Sequence, residues 1–318
     1  MINRGNPALW AGASEVQVYL TAPHDRTPTD GPSLTISGII PDLHHYNGRG
    51  GRVFPLWSDA EATRPNIAPR LLAELGAAYG REVTAPEVMA WIAAVAAHPG
   101  YIARFGKHLK QPGLRIPLTA DAALFDEAVA VGREVIWLHT FGERFADGRP
   151  AGAPRVTDGP EPTIPADGVL PTTLDAMPHE LEYDAANQRL KIGTGHIANV
   201  SPEVWAYEVS GKRVLTQWWS YRRKDRSKPP MGDKRLPSEL SNIQPTAWLP
   251  EYTTELLAVL RVLTRLVALE PKQRDLFDRV IAGPLIDADA LRATGALSDG
   301  SAEAESSATE EEGETEEE

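Results

Sequence analysis

The chain has 318 residues, 42% of them hydrophobic, and a formal net charge of −12, enough apolar content to bury a substantial core in one large domain or two modest ones. It contains no cysteine, which excludes disulfides, thiolate zinc sites and a cysteine nucleophile. No run approaches the roughly eighteen apolar residues of a membrane span, and Met1 to Gly12 lacks a basic stretch followed by an apolar one, so the expectation is a globular, soluble, cytoplasmic protein without a membrane partner.

In chain order, Val16, Val18 and Leu20 alternate with polar residues and predict a strand, and Leu34 to Ile40 predicts a second one before Pro41. From Ala68 to Phe145 the pattern becomes helical. Thr84 with Glu87 forms a capping box, after which Val88, Trp91, Ile92 and Val95 share a face. Tyr101, Ile102, Phe105 and Leu109 follow at helical spacing, and Asp121 is the expected N-cap of a helix carrying Leu124, Ala128, Val135, Ile136 and His139. His139, beside Trp137 on an apolar face, reads as a packed residue rather than a catalytic one.

Residues 147–173 interleave prolines with glycines and lack apolar periodicity, which predicts a linker or long loop. Residues 174–297 form a mixed region. Glu180 to Tyr183 and Arg189 to Ile192 suit a hairpin in which Asn187 takes a left-handed conformation, and a short strand is expected at His196 to Val200. Ser201 and Pro202 open a helix reaching Val209, and Tyr252 to Leu269 carries a wide apolar stripe that Pro271 should stop. The whole is α+β, with residues 1–146 supplying the N-terminal strands and helices.

Residues 299–318 hold ten acidic side chains and no basic one, leaving the rest of the chain close to neutral. This tail, from about Ser298, cannot bury enough apolar surface to offset its ordering entropy and is expected to be disordered. On a near-neutral body a local basic patch dominates at short screening lengths. Such a patch exists: Lys212, Arg213, Arg222, Arg223, Lys224, Arg226, Lys228, Lys234 and Arg235 stand against only Asp225 and Asp233. It suits phosphate contact with counterion release, although a solvated loop, a grip on the acidic tail or a partner subunit would use the same charges. Arg49 and Arg52 among glycines make a smaller patch. Trp218, Trp219 and Tyr221 either stack on an unpaired base or anchor the helix they sit on.

Motifs for chemistry are missing. Pro229-Pro230 lies between Lys228 and Met231, so the Asx-Pro-Pro-aromatic motif of an adenine methyltransferase is absent. Gly48-Arg49-Gly50-Gly51 lacks the context of a phosphate loop, and neither a Walker lysine nor a glycine-x-serine-x-glycine elbow occurs. His44 and His45 beside Asp42 would point to opposite faces of an extended chain, which argues against a shared metal ion. A nuclease carboxylate at Asp42 has no suitably spaced Glu and Lys to accompany it. No catalytic and no metal-ligating residue is therefore assigned.

Several short motifs in order point to a family. Ile40-Pro41-Asp42-Leu43-His44 followed by Gly50-Gly51-Arg52-Val53-Phe54-Pro55-Leu56 resembles the opening of the C-terminal specificity region of type ISP restriction-modification enzymes. Ala97-His98-Pro99-Gly100-Tyr101, Arg104-Phe105, Leu109 and Arg115-Ile116-Pro117-Leu118 are similar to its helical stretch, and the likeness extends through Phe125, Gly132 and Leu138-His139. Val209-Ser210-Gly211-Lys212 leading to Trp218, and the helix from Tyr252, complete a resemblance over most of residues 35–270. It implies double-stranded DNA target recognition within a phage-defence system. S-adenosylmethionine, ATP and magnesium would be held by a methyltransferase and helicase-nuclease partner, not by this chain. On the charge pattern, phosphate contacts would then fall to Lys212, Arg213, Arg222, Arg223, Lys224, Arg226 and Lys228, and base reading to Arg49, Arg52 or loop residues. The competing expectation is a coupling module that docks on a methyltransferase or helicase partner without reading DNA.

Overall fold

Gln17, fully buried, fixes where the first sheet begins. Its amide donates to the carbonyls of Gly12 and Trp57 at 2.6 and 2.9 Å, and its Oε1 accepts from the Trp57 and Val18 amides at 3.0 and 3.2 Å. A buried amide with both ends occupied is a rigid joint. It ties the turn after helix α1 (Pro7–Ala11) to the segment following strand β3 (Gly51–Pro55), on either side of strand β1 (Tyr19–Pro23). With strand β2 (Thr35–Ser37) these form an antiparallel sheet of order β2-β1-β3, in which Leu20 faces Ile36 on one side and Phe54 on the other. The strand expected over Val16 to Leu20 thus starts later. Val16 is exposed in a turn, and β1 is buried along its whole length because it is the central strand, with Thr21 and Thr35 sharing a 2.7 Å hydrogen bond. The computed structural model describes residues 7–23, 29–41, 51–109, 114–150, 152–172, 181–222 and 247–297. The acidic tail from Ser298, along with Asp42, His44, His45 and Pro229-Pro230, lies outside them.

Helices α2 (Pro69–Tyr79), α3 (Ala85–Ala96), α4 (Pro99–Phe105) and α5 (Ala122–His139) build the main core. α3 opens at the Thr84–Glu87 pair: the Glu87 carboxylate accepts from the Thr84 amide at 2.7 Å, the capping-box bond, and also from the Thr84 hydroxyl at 2.8 Å. Asp121 caps α5, accepting from the amides of Ala123 and Leu124. α3 and α5 cross at Gly132, where the backbone of Ala90 occupies the space of a side chain. Aromatic heads then pin the extended stretch 115–119 against these helices. Trp91 donates to the Pro117 carbonyl at 3.0 Å, Tyr101 to that of Arg115 at 2.6 Å and Tyr79 to that of Thr119 at 2.7 Å, while the Trp91 and Phe125 rings stack 5.2 Å apart.

His98 joins α3 to α4 and is buried; its Nδ1 accepts from the Gly100 amide at 3.2 Å, and Phe277 meets its ring edge-on. Burial holds its pKa down to about 4, with the Val95 carbonyl opposing, Arg274 assisting and Asp278 opposing. The folded chain therefore resists a proton that the unfolded chain takes up near pH 6.5, so this contribution is complete above that pH and is lost as pH falls toward 4. Urea unfolding should give a stability about 2 kcal/mol lower at about pH 5 than at about pH 7.5, and His98→Gln should flatten that difference; an equal slope in both proteins would refute the assignment.

The second sheet, β4 (Leu181–Asp184), β5 (Arg189–Ile192) and β6 (Gly195–Ile197), is an antiparallel meander. Its first turn differs from expectation. The left-handed residue is Gln188, with φ 49°, while Asn187 faces back and donates to the Asp184 carboxylate through its amide and its backbone N–H. The Asp184 carboxylate closes the turn by an Asx-type bond, so Asn187 need not take the left-handed conformation. Across β6 runs the irregular stretch 152–172, stitched by a Thr163–Ala198 bridge and by the His196 amide donating to Gly168 at 3.0 Å; Gly168 and Gly195 permit the close approach of the two backbones.

Ser201 caps α6 (Pro202–Ala206), which is shorter than expected because the chain turns at Tyr207 into a two-stranded hairpin, β7 (Glu208–Val209) and β8 (Lys212–Arg213), and then enters α7 (Val214–Ser220). The largest correction concerns the last long helix. α8 runs from Pro250 to Ala282, with Pro271 inside it. An internal proline loses one hydrogen bond and crowds the carbonyl four residues earlier, at a cost of about 3 kcal/mol. The helix continues because its second half has a core to join. Leu276, Phe277 and Val280 are buried, and the amide of buried Gln273 donates to the Ala93 and Ala94 carbonyls at the end of α3, whereas Pro271 itself faces solvent. α9 (Ala288–Ala293) follows a bridge between Leu285 and Thr119, and Arg70 of α2 donates to Thr294 at 2.6 Å.

Candidate nucleic-acid interface

The described part of the basic cluster begins on the β7–β8 hairpin. Its turn residues Ser210 and Gly211 both have positive φ, 51° and 75°, the geometry of a two-residue turn that matches strand twist. Gly31 backs onto the Glu208 carbonyl so closely that no side chain fits there, so the segment entering β2 buttresses the hairpin. On this support Arg213 is exposed, its guanidinium 5.6 Å from the Trp205 ring, which itself stacks on Tyr183 at 5.3 Å. Lys212 is half-buried at the edge of a cleft.

Arg222 is placed differently. It sits just past α7, 4.1 Å over the Trp218 ring, with Nη2 2.5 Å from Glu255 and Nη1 donating to the Trp218 carbonyl at 3.1 Å. These bonds fasten α7 to the first turns of α8, so any anion approaching Arg222 would have to compete with Glu255. Arg223, Lys224, Arg226 and Lys228, and with them Lys234 and Arg235, lie outside the described residues, as does Arg49. Arg52 lies on β3 opposite Ala22, at the rim of a separate apolar cleft of about 450 Å³ lined by Leu20, Met89, Ile92 and Arg115. The structure thus groups Lys212, Arg213 and Arg222 around one hairpin-and-helix unit and sets Arg52 on the first sheet.

The three aromatics divide by position. Trp219 is buried against Trp248, which lies 5.5 Å away, and anchors α7. Trp218 is half-buried between Arg222 and Trp248, whereas Tyr221 is 62% exposed. Trp218, Tyr221, Phe141, His139 and Lys212 border a cleft of about 540 Å³ between the hairpin, α7 and the middle of α8. Burial pushes the Tyr207 phenol on its floor well above the ordinary tyrosine value. Trp248, Glu255 and Gly31 hold this unit together and were not singled out in the sequence; Trp248, just ahead of Pro250, had only its place before a helix start to mark it.

Among the described residues no group of three or more histidines and carboxylates is arranged to hold a metal ion, and no helix is long and apolar enough to cross a membrane.

Comparison with solved structures finds the same fold within larger DNA-bound proteins. The chain is similar to the DrdV–DNA complex with a TM-score of 0.54 and 18% identity, covering 85% of this chain and 25% of that one. It is also similar to the ATP-dependent type ISP restriction-modification enzyme LlaBIII bound to DNA, with a TM-score of 0.53 and 13% identity over 83% of this chain and 16% of that one. A nuclease-deletion mutant of the type ISP enzyme LlaGI with a DNA substrate mimic gives a TM-score of 0.50 and 16% identity over 81% and 21%. The chain spans a quarter or less of the length of these proteins. A comparison with curated proteins found no match. The family model described as the type ISP C-terminal specificity domain matches residues 1–257, and the chain belongs to that family.

Proposed function

We propose that this protein recognises a specific sequence in double-stranded DNA on behalf of a type ISP-like restriction-modification enzyme. The observation that carries this reading is the match of residues 1–257 to the family's specificity domain. The surface supports it with charge: Arg213 is exposed on the hairpin, Lys212 lies half-buried beside it at the edge of the cleft, and the further basic residues of the cluster follow α7 directly in the sequence. Phosphates are held by Lys212, Arg213, Arg223, Lys224, Arg226 and Lys228, with Arg222 joining once it exchanges Glu255 for a phosphate. Arg49 and Arg52 face bases. Cleavage and methylation, with their ATP, magnesium and S-adenosylmethionine, belong to the methyltransferase and helicase-nuclease parts that work with this module.

The test is a salt series of duplex binding with the full chain. Reversing Lys212 and Arg213 together to glutamate should weaken binding at least tenfold at low salt and lower the slope of log K against log salt by about 2, since each phosphate contact contributes about 0.9. Unchanged affinity and slope would refute phosphate contact by the hairpin. Sequencing the duplexes retained from a random pool should return one enriched motif; a pool returned unchanged would refute sequence recognition.

A further inference from the structure

A second basic cluster, made of other residues than the hairpin's, lies where the loop after α5 meets α8. Five arginines here share three carboxylates: Arg133 pairs with Asp147 at 2.9 Å, Arg265 with Glu134, and Arg155 and Arg261 both with Glu161. Arg149 is the fifth. Its guanidinium carbon stands 5.0 Å from the centre of the Trp137 ring, the ring that Arg265 also approaches at 5.0 Å. Among the described residues no carboxylate or carbonyl accepts a hydrogen bond from that guanidinium, although it offers five N–H donors.

The arrangement is costly to keep without an anion. Arg149 is half-buried, and burial disfavours its charge, as do Arg265 and Arg133 nearby, with Glu134 the opposing influence. Stacking on an indole orients the planar fork but leaves its edge without a partner. That edge matches a tetrahedral oxyanion in geometry and sign, and an arriving phosphate would also relieve the repulsion among the guanidiniums.

We propose that Arg149, seated on Trp137 beside Arg133 and Arg265, is a docking point for a backbone phosphate of bound DNA, formed by other residues than the hairpin site. The proposal rests on the DNA-recognition reading above. It extends the footprint to the loop between α5 and the second sheet and gives that loop a positioning task rather than a base-reading one.

The experiment uses the full chain and a random-sequence duplex over a salt series. Arg149→Gln should weaken binding several-fold and lower the salt slope by about 1, while Arg149→Lys, which keeps the charge, should retain the slope. Near-ultraviolet circular dichroism of each variant checks that the tryptophan environment is intact. Wild-type binding with a slope unchanged by Arg149→Gln, but lowered by the Lys212 and Arg213 reversal, overturns the Arg149 site alone. A wild-type chain that binds no duplex overturns both. An equal loss of slope in Arg149→Gln and Arg149→Lys also counts against the proposal, because the effect would then come from packing on Trp137 and not from charge.

Discussion

Gly132→Ala is expected to destabilise the protein by about 3 kcal/mol and to lower its melting temperature by roughly 5–10 °C. A Cβ at Gly132 would lie 1.7 Å from the Ala90 carbonyl oxygen and 2.5 Å from its carbon. The obstacle is the backbone of a neighbouring helix, so no side chain can swing aside, and α3 and α5 must separate. That separation loosens the buried packing around Trp91, Phe125 and Ile136. Gly106→Ala is the control. Gly106 has ordinary right-handed helical angles, and its Cβ would meet only the Ile102 side chain at 3.6 Å, an ordinary contact, so that variant should be neutral or slightly stabilised. Thermal and urea unfolding of the two variants side by side decides the matter: equal effects would mean that the crossing is not closed at Gly132.

Phe277→Ala should cost about 3–5 kcal/mol, comparable to losing a central aromatic from any well-packed core. Phe277 is only 1% exposed, and its ring lies 5.6 Å from His98, 5.8 Å from Tyr101 and 5.7 Å from Phe105. It stands beyond Pro271 and beyond the stretch matched by the family model, so the size of the effect measures whether the second half of α8 belongs to the same cooperative unit. A loss below about 1 kcal/mol in urea unfolding would show that it does not.

The helical half of the molecule was readable in the sequence because its signals are local. Thr84 with Glu87 and Asp121 with the amides that follow it act within one turn, and apolar spacing placed Trp91 and Val95 inward. The misreadings came where tertiary context outweighs local preference. Pro271 reads as a stop, yet Phe277 and Val280 find a core in α3 and α4 that no local pattern announces. Val16 and Val18 read as an alternating strand, but Val16 is exposed in a turn and Gln17 is buried next to Val18, recruited by Gly12 and by Trp57, forty residues away. At the candidate interface the charges of Lys212 and Arg213 were plain, since nine basic residues in a short run need no structure to be seen. The Glu255 that restrains Arg222, the Gly31 that backs the hairpin and the indole beneath Arg149 come from distant parts of the chain and became visible only with the fold.

The bond from Gln273 to Ala93 spans 180 residues of sequence. A ribosome adding about 5–20 residues per second therefore completes α3 roughly 10–40 s before the helix that covers it has been made. During that interval α3 can already pair with α5, but the face of α3 and α4 that receives Gln273 and Phe277 has no permanent neighbour within the chain. Newly made protein should accordingly depend on chaperone cover and on growth temperature far more than the finished, folded molecule does, and expression yield should respond to slower synthesis in the opposite sense from that of a protein whose helices pair as they emerge.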